Sequence, residues 1–510
     1  MSEKRRIVVN TLANGVAQVA GMLTALVFVK FLVNGFGAEN YGLYLLATSI
    51  AGFAGLLDLG VGASVVKMTA ESHAQGDSER SGRVVSTAVA FYVVVGLVVA
   101  AIMVILATNT AAIFPKVGAD GARLLSNLFF AGAIWSLWSW PASTAVSVLA
   151  GHQRYTQTAT VTLAQIAGNI VVTIVVLMLH EGPLMLMVGN YGVGVVVGIA
   201  QIVLAKRALG PARISPRLVD RATFRTVFSF AWAVFVIQVC TVIVYQQTDR
   251  LVLGIFLGAT AVALYEAAGK FQGLVSQLVT LSVSAVMPMA SHLDAAGRQD
   301  TLRELFLRGA KYSLMLLNPV VIVLIVIARP LLLVWLGPAF AAYAIAAQLL
   351  ISHQLLTSGT AVGDSMILGL GQLNKRVPYA VAVAALNLAI SITLVRTLGI
   401  LGVVLGTTIP WLLDYPFHMR LILRTLDVPV GMWLRRTVLP TYPLLLLPAL
   451  LAWWLISTPL QGSLLGIAAI GVVSVGGYWL AVYALGFDAG ERADVRSGAR
   501  AVWARATRRG

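Results

Sequence analysis

The amino-acid sequence predicts an all-α integral membrane protein of about fourteen transmembrane helices. Three observations carry that prediction. The mean hydropathy is +0.87, 59% of residues are hydrophobic against 11% charged, and Lys and Arg crowd into alternate loops. Soluble domains carry about a quarter charged residues. A 510-residue chain this apolar has too few polar side chains to clothe a water-facing surface, so its solvent is lipid. The single cysteine, Cys240, lies in an apolar run and offers neither a disulfide framework nor a thiolate metal site.

A helix needs roughly twenty apolar residues to cross about 30 Å of hydrocarbon. Such runs stand at 11–34, 41–67, 84–107, 125–149, 158–179, 184–204, 227–256, 261–290, 309–329, 340–369, 379–397, 400–423, 438–457 and 463–486. The basic start MSEKRRIVVN resembles the first part of a secretory signal. Its apolar stretch is too long and no small-residue cleavage site closes it, so it is read as the first span. An even number of spans puts both termini on one side.

Charge then orients the spans. Of the 36 Lys and Arg, 28 fall in segments on the side of the N-terminus, and four (Lys116, Arg123, Arg329 and Arg396) on the opposite side. Positive charge is retained on the cytoplasmic side. The expectation is a multi-pass protein of the bacterial inner membrane with both termini cytoplasmic. The net charge of +16 is thus topological, and no nucleic-acid partner is expected. The longest loops, 108–124 and 205–226, are too short to fold as domains. The tail 487–510 holds six arginines and Trp503 and is expected on anionic membrane lipids, each charge adding about 1 kcal/mol of attraction.

An internal repeat organises the spans. GAENYGLY at 37–44 is matched by GATAVALY at 258–265, and at that offset of 221 eleven of the forty positions 37–76 are identical. About a tenth would match by chance in so biased a composition. Gly37/Gly258, Tyr44/Tyr265 and Gly76/Gly297 are among the pairs, and Gly151/Gly369 and Gly189/Gly406 continue the relation with small indels. An offset of six helices makes the halves parallel repeats, an arrangement that transporters use to rock two lobes about a central site. The predicted organisation is an N-lobe at 1–225, a C-lobe at 226–425, and an appended helix pair with the basic tail at 426–510.

A charge at the centre of a bilayer costs about 3 kcal/mol on insertion scales unless it faces protein or water, so each one is a functional candidate. Lys30, Arg250, Lys270 and Lys67 are the basic candidates for a substrate-binding cavity; Asp249, Glu266, Asp58 and Asp364 are the acidic candidates for ion coupling. Simpler roles compete with these. Lys67 and Arg329 lie near span ends, where such side chains snorkel to the interface. Glu266 and Lys270 at i and i+4 are spaced to pair with each other. Asp249 and Arg250 are adjacent, cannot share a helical face, and each need a partner elsewhere; they follow Gln246 and Gln247. His353 sits in the tenth span, where helix–helix hydrogen bonding is the commoner role, and Asp414 and His418 lie in the twelfth.

Other chemistry has no signature. The chain carries no phosphate loop, no paired-Cys motif and no HExxH, so neither an enzyme nor a resident cofactor is expected. A membrane glycosyltransferase or polymerase needs an acidic pair on a sizeable outer loop, and here Glu39, Asp120 and Glu181 stand well apart. The segments LDLGVGASVVKMTAESHAQGD and QQTDRLVLGIFLGATAVALYEAAGKFQ resemble the oligosaccharide flippase (Wzx-like polysaccharide transporter) branch of the multidrug/oligosaccharidyl-lipid/polysaccharide exporter superfamily. The resemblance implies two six-helix lobes, alternating access, a lipid-linked (undecaprenyl-diphosphate) oligosaccharide as cargo, and polysaccharide polymerase or export machinery as partners. The family's basic cavity suits a pyrophosphate, a role that Lys30, Arg250, Lys270 and Lys67 match in residue type only. The extra helix pair is similar to that of lipid II flippases. A cation antiporter of the same superfamily is the alternative, and its cavity would be acidic or aromatic.

Overall fold

The computed structural model describes residues 3–226, 248–283 and 286–487. Regular structure among them is entirely helical, with helical segments in each of the fourteen ranges read from the sequence. Ten stretches are both long and apolar enough to cross a membrane. Two of the remaining ranges show why length and hydropathy single out fewer. Ala119–Gly151 is a 33-residue helix, but its Trp, Ser and Asn side chains lower its mean hydropathy. The range 340–369 is divided at His353 into Ala344–Ser352 and Gln354–Gly369. The range 227–256 is described only from Thr248 to Phe256; Cys240, Gln246 and Gln247, and the basic tail beyond 487, lie outside the described residues.

The residues group into two compact units, one of 1–267 with 380–407 and one of 268–379 with 408–510. Among the described residues, the first unit thus takes in Thr248–Phe256 and the start of Ala259–Val283. It packs the helix Ser78–Thr108 along Ala119–Gly151, which in turn lies against Pro183–Leu209. In the second, Gln299–Leu336 is the spine for Gln354–Gly369, Leu446–Leu455 and Leu464–Ala481. Large apolar side chains point outward: Ile134 and Met178 are 74% exposed and Leu465 is 85% exposed. Only lipid tolerates such a surface.

The repeat is written into the backbone. Gly37 (φ 78°) and Gly258 (φ 90°) both adopt left-handed φ at the turn between their helices. Gly76 (φ 69°) and Gly297 (φ 67°) end the equivalent helices. Around them, Gly76 N donates to His73 O and Asp77 N to Ser72 O, while Gly297 N donates to Asp294 O and Arg298 N to Leu293 O. These are the same bonds displaced by 221 residues, and they satisfy the last carbonyls of each helix as a left-handed glycine allows. A Cβ on Gly151 would sit 2.8 Å from Val66 O; one on Gly369 would sit 2.6 Å from Met287 O. Val66 and Met287 also differ by 221, so both halves use one close helix crossing.

Candidate functional site

In the first unit Thr248–Phe256 packs against Glu3–Ala54 and carries two consecutive charged residues, Asp249 and Arg250. Because Asp249 and Arg250 are consecutive, they face different neighbours. Asp249 is buried; its Oδ2 accepts from Tyr265 Oη at 2.5 Å and from Thr407 Oγ1 at 2.8 Å. Thr407 in turn accepts from Asn387 Nδ2 at 3.0 Å. Asp249 Oδ1 and Asn387 Oδ1 are buried without a hydrogen-bond partner among the described residues. Arg250 turns the other way. Its Nη2 lies 2.5 Å from Glu266 Oε2, and Nη1 donates to Ser49 Oγ at 3.2 Å. The Arg250 side chain is 22% exposed and that of Glu266 9%. Glu266 is therefore held by Arg250, a partner that helical spacing alone does not reveal.

Asp58 serves the backbone. Between the helical turn Gly55–Asp58 and the helix Val61–Gln75 the chain passes through left-handed Leu59 and Gly60. The Asp58 carboxylate accepts from Gly60 N at 3.2 Å, from Gly62 N at 3.3 Å and from Tyr92 Oη. It thus caps a helix start inside a predicted span. Lys30 is half-buried on the first helix, and Lys67 is exposed, its Nζ 4.0 Å from Glu71 Oε1.

The second unit holds Lys270, half-buried on the eighth span, and a separate network around Asp364. His418 Nε2 lies 2.6 Å from Asp364 Oδ1 and its Nδ1 lies 3.8 Å from Asp414 Oδ2. Arg376 grips Asp414 with two hydrogen bonds, Nη1 to Oδ1 at 3.2 Å and Nη2 to Oδ2 at 2.8 Å. Sequence reading counted Arg376 as a loop charge; the one signal that could have found it is an acidic residue left unpaired in the neighbouring span. No group of three or more His, Cys, Asp or Glu among the described residues is arranged to hold a metal ion.

At the faces, two groups depart from their ordinary protonation. Thr223 donates both Oγ1 and N–H to Asp220 at the start of a helix, which holds that carboxyl below the usual carboxylate range. His152 is pushed down by burial, with smaller contributions from His73, whose ring lies 4.6 Å away, and from Arg154.

With this architecture in place, solved structures of similar fold can be set beside it. The chain is 14% identical to a structure described as "Lipid II flippase MurJ, inward closed conformation", with a TM-score of 0.71 over 93% of this chain and 99% of that one. An inward-facing multidrug resistance MATE family transporter of the MOP superfamily gives 0.64 at 15% identity, over 80% and 95%. A MOP superfamily transporter from Pyrococcus furiosus gives 0.54 at 15% identity, over 84% and 97%. Comparison with curated proteins returns no match. The fold is that of a multi-pass MOP superfamily transporter or flippase. The family model "Polysaccharide biosynthesis protein" matches residues 7–294, and the chain belongs to that family. The resemblance to Wzx-like flippases read from the sequence is borne out.

Proposed function

We propose that the chain flips a lipid-linked oligosaccharide, carried on undecaprenyl diphosphate, across the bacterial inner membrane for surface polysaccharide biosynthesis. The family match supports the cargo class, and the observation that carries the chemistry is the half-buried guanidinium of Arg250 within span residues. A diphosphate entering a low-dielectric cavity needs cationic partners. Arg250, with Lys30, Lys270 and Lys67, supplies them in this reading, and the repeat halves 1–225 and 226–425 alternate access around them with both termini cytoplasmic. Asp249, Glu266, Asp58 and Asp364 are proposed for ion coupling; the Oδ1 of Asp249, without a hydrogen-bond partner among the described residues, favours that residue first. The test is surface polysaccharide in cells whose only copy carries Arg250→Ala, which should be lost while the protein stays inserted.

One observation favours a cation antiporter instead. Glu266 pairs with Arg250, while the adjacent Asp249 is buried with its Oδ1 lacking a hydrogen-bond partner among the described residues. Resistance to cationic drugs that depends on Asp249, with export indifferent to Arg250, would establish that reading in place of the first.

A further inference from the structure

We infer that His418 and Asp364 form a one-proton binding site in the second unit, with Asp414 and Arg376 completing its charge balance. His418 lies on Ile400–Thr425 with a side chain only 3% exposed. Its two ring nitrogens face carboxylates on two different helices. Nε2 meets Asp364 of Gln354–Gly369 at 2.6 Å, and Nδ1 faces Asp414, one turn earlier on its own helix, at 3.8 Å. A carboxylate oxygen only accepts and a bare ring nitrogen only accepts, so a contact of 2.6 Å requires a proton between Asp364 and Nε2. The second ring nitrogen takes up or releases the further proton beside Asp414.

Charge counting fixes the number. Arg376 and Asp414 form a fork with side chains 14% and 4% exposed, and guanidinium keeps its charge at every relevant pH. That pair is neutral. Asp364 and His418 carry a net negative charge with one proton held between them and become neutral on taking up a second, on the imidazole or on the carboxylate. The network thus has room for one exchangeable proton beyond the one held in the 2.6 Å contact. Asp364, with 44% of its side chain exposed, is the route by which that proton reaches a buried ring.

The remaining polar groups around the ring are hydroxyls, an indole and a second imidazole. The small space beside His418 is lined by His353, Thr357, Thr360, Trp411 and Tyr415 as well as Asp414. His353 is stacked on Trp411 at 5.7 Å and 3.4 Å from Gln354 Nε2. Asp364, Asp414 and Arg376 are thus the charged groups that face His418 among the described residues. With the fork occupying Asp414, these side chains do not present three free ligands to a divalent cation, in keeping with the absence of a metal cluster among the described residues. The inference rests on the transporter reading only for the use made of the proton. The network joins two spans and the segment leading into a third, so losing the proton removes one of its ties.

The test is a pH titration of the full chain in detergent, with labelled histidine followed by NMR and the His418 signal assigned by its loss in His418→Gln. The wild-type ring should change protonation once between pH 5 and pH 9. Asp364→Asn, a near-isosteric change at a half-exposed side chain, should move that transition to lower pH by about one unit or more. A ring that does not change in this range, or a transition that Asp364→Asn leaves in place, overturns the site. Arg250→Ala should leave the titration as in wild type, so failure of the cargo reading and failure of this one are told apart.

Discussion

Arg250 and Glu266 are joined by a 2.5 Å ion pair that bridges the turn at Gly258, with the Arg250 guanidinium also donating to Ser49. The pair places a cation inside the membrane region and supplies its counter-charge from the next helix. Breaking a buried pair from one side leaves an uncompensated charge, which costs about 3 kcal/mol or more. Glu266→Gln or Arg250→Ala alone should therefore lower the unfolding temperature in detergent. The double variant should recover most of that loss, because both charges are gone. A double variant that loses the sum of the two single losses would mean that the pair contributes nothing.

The repeat makes a paired prediction. At Gly151 and Gly369 an added Cβ would meet Val66 O at 2.8 Å and Met287 O at 2.6 Å, and at Gly151 also Thr69 Oγ1 at 2.1 Å. Backbone cannot yield as a side-chain tip can, so Gly151→Ala and Gly369→Ala should each destabilise by about 1–3 kcal/mol. A neighbouring alanine change at Gly182, where nothing lies within 4 Å, should be close to neutral. Thermal unfolding of the three variants checks this.

His152 gives a pH dependence with a definite sign. Burial holds its imidazole below the ordinary value, so the folded chain binds this proton less readily than the unfolded one. The associated stability is present above about pH 6.5 and is lost as pH falls through the lowered value. Between pH 7.5 and pH 5 the unfolding temperature of wild type should fall further than that of His152→Gln. Identical falls would remove His152 from the account.

Topology follows from loop charge. A reporter active only outside the cytoplasm should be silent when fused at Gly510 and active when inserted in 108–124. The opposite pattern would invert the orientation, and activity at both sites would mean one span too many in the count.

Much of this was legible in the sequence because helices in lipid must be apolar along their whole length. The repeat was legible because Gly37, Gly258, Gly76 and Gly297 adopt a φ that other residues rarely take, so their identity is tied to the backbone itself. Partners of charged groups were not legible. Glu266 is spaced to meet Lys270 on its own helix, and that spacing says nothing of its 2.5 Å contact with Arg250 across a turn. Arg376 lies in a loop by its neighbours but turns to Asp414, thirty-eight residues away. Asp58 is legible as an intramembrane charge; that its carboxylate accepts from Gly62 N at the start of the helix Val61–Gln75 is not. Side-chain pairing between helices depends on crossing geometry, which hydrophobic periodicity does not contain.

The central claim is that Arg250 acts on an anionic, lipid-linked cargo beyond holding Glu266. It is tested most directly by surface polysaccharide in cells whose only copy carries Arg250→Ala together with Glu266→Gln, with membrane levels of the protein measured alongside. The double change removes the charge imbalance that would confuse folding with function. The account predicts wild-type membrane levels, loss of surface polysaccharide, and partial return when Arg250→Lys is made with Glu266 intact, since the charge survives without the planar fork. Wild-type polysaccharide from the double variant would contradict it.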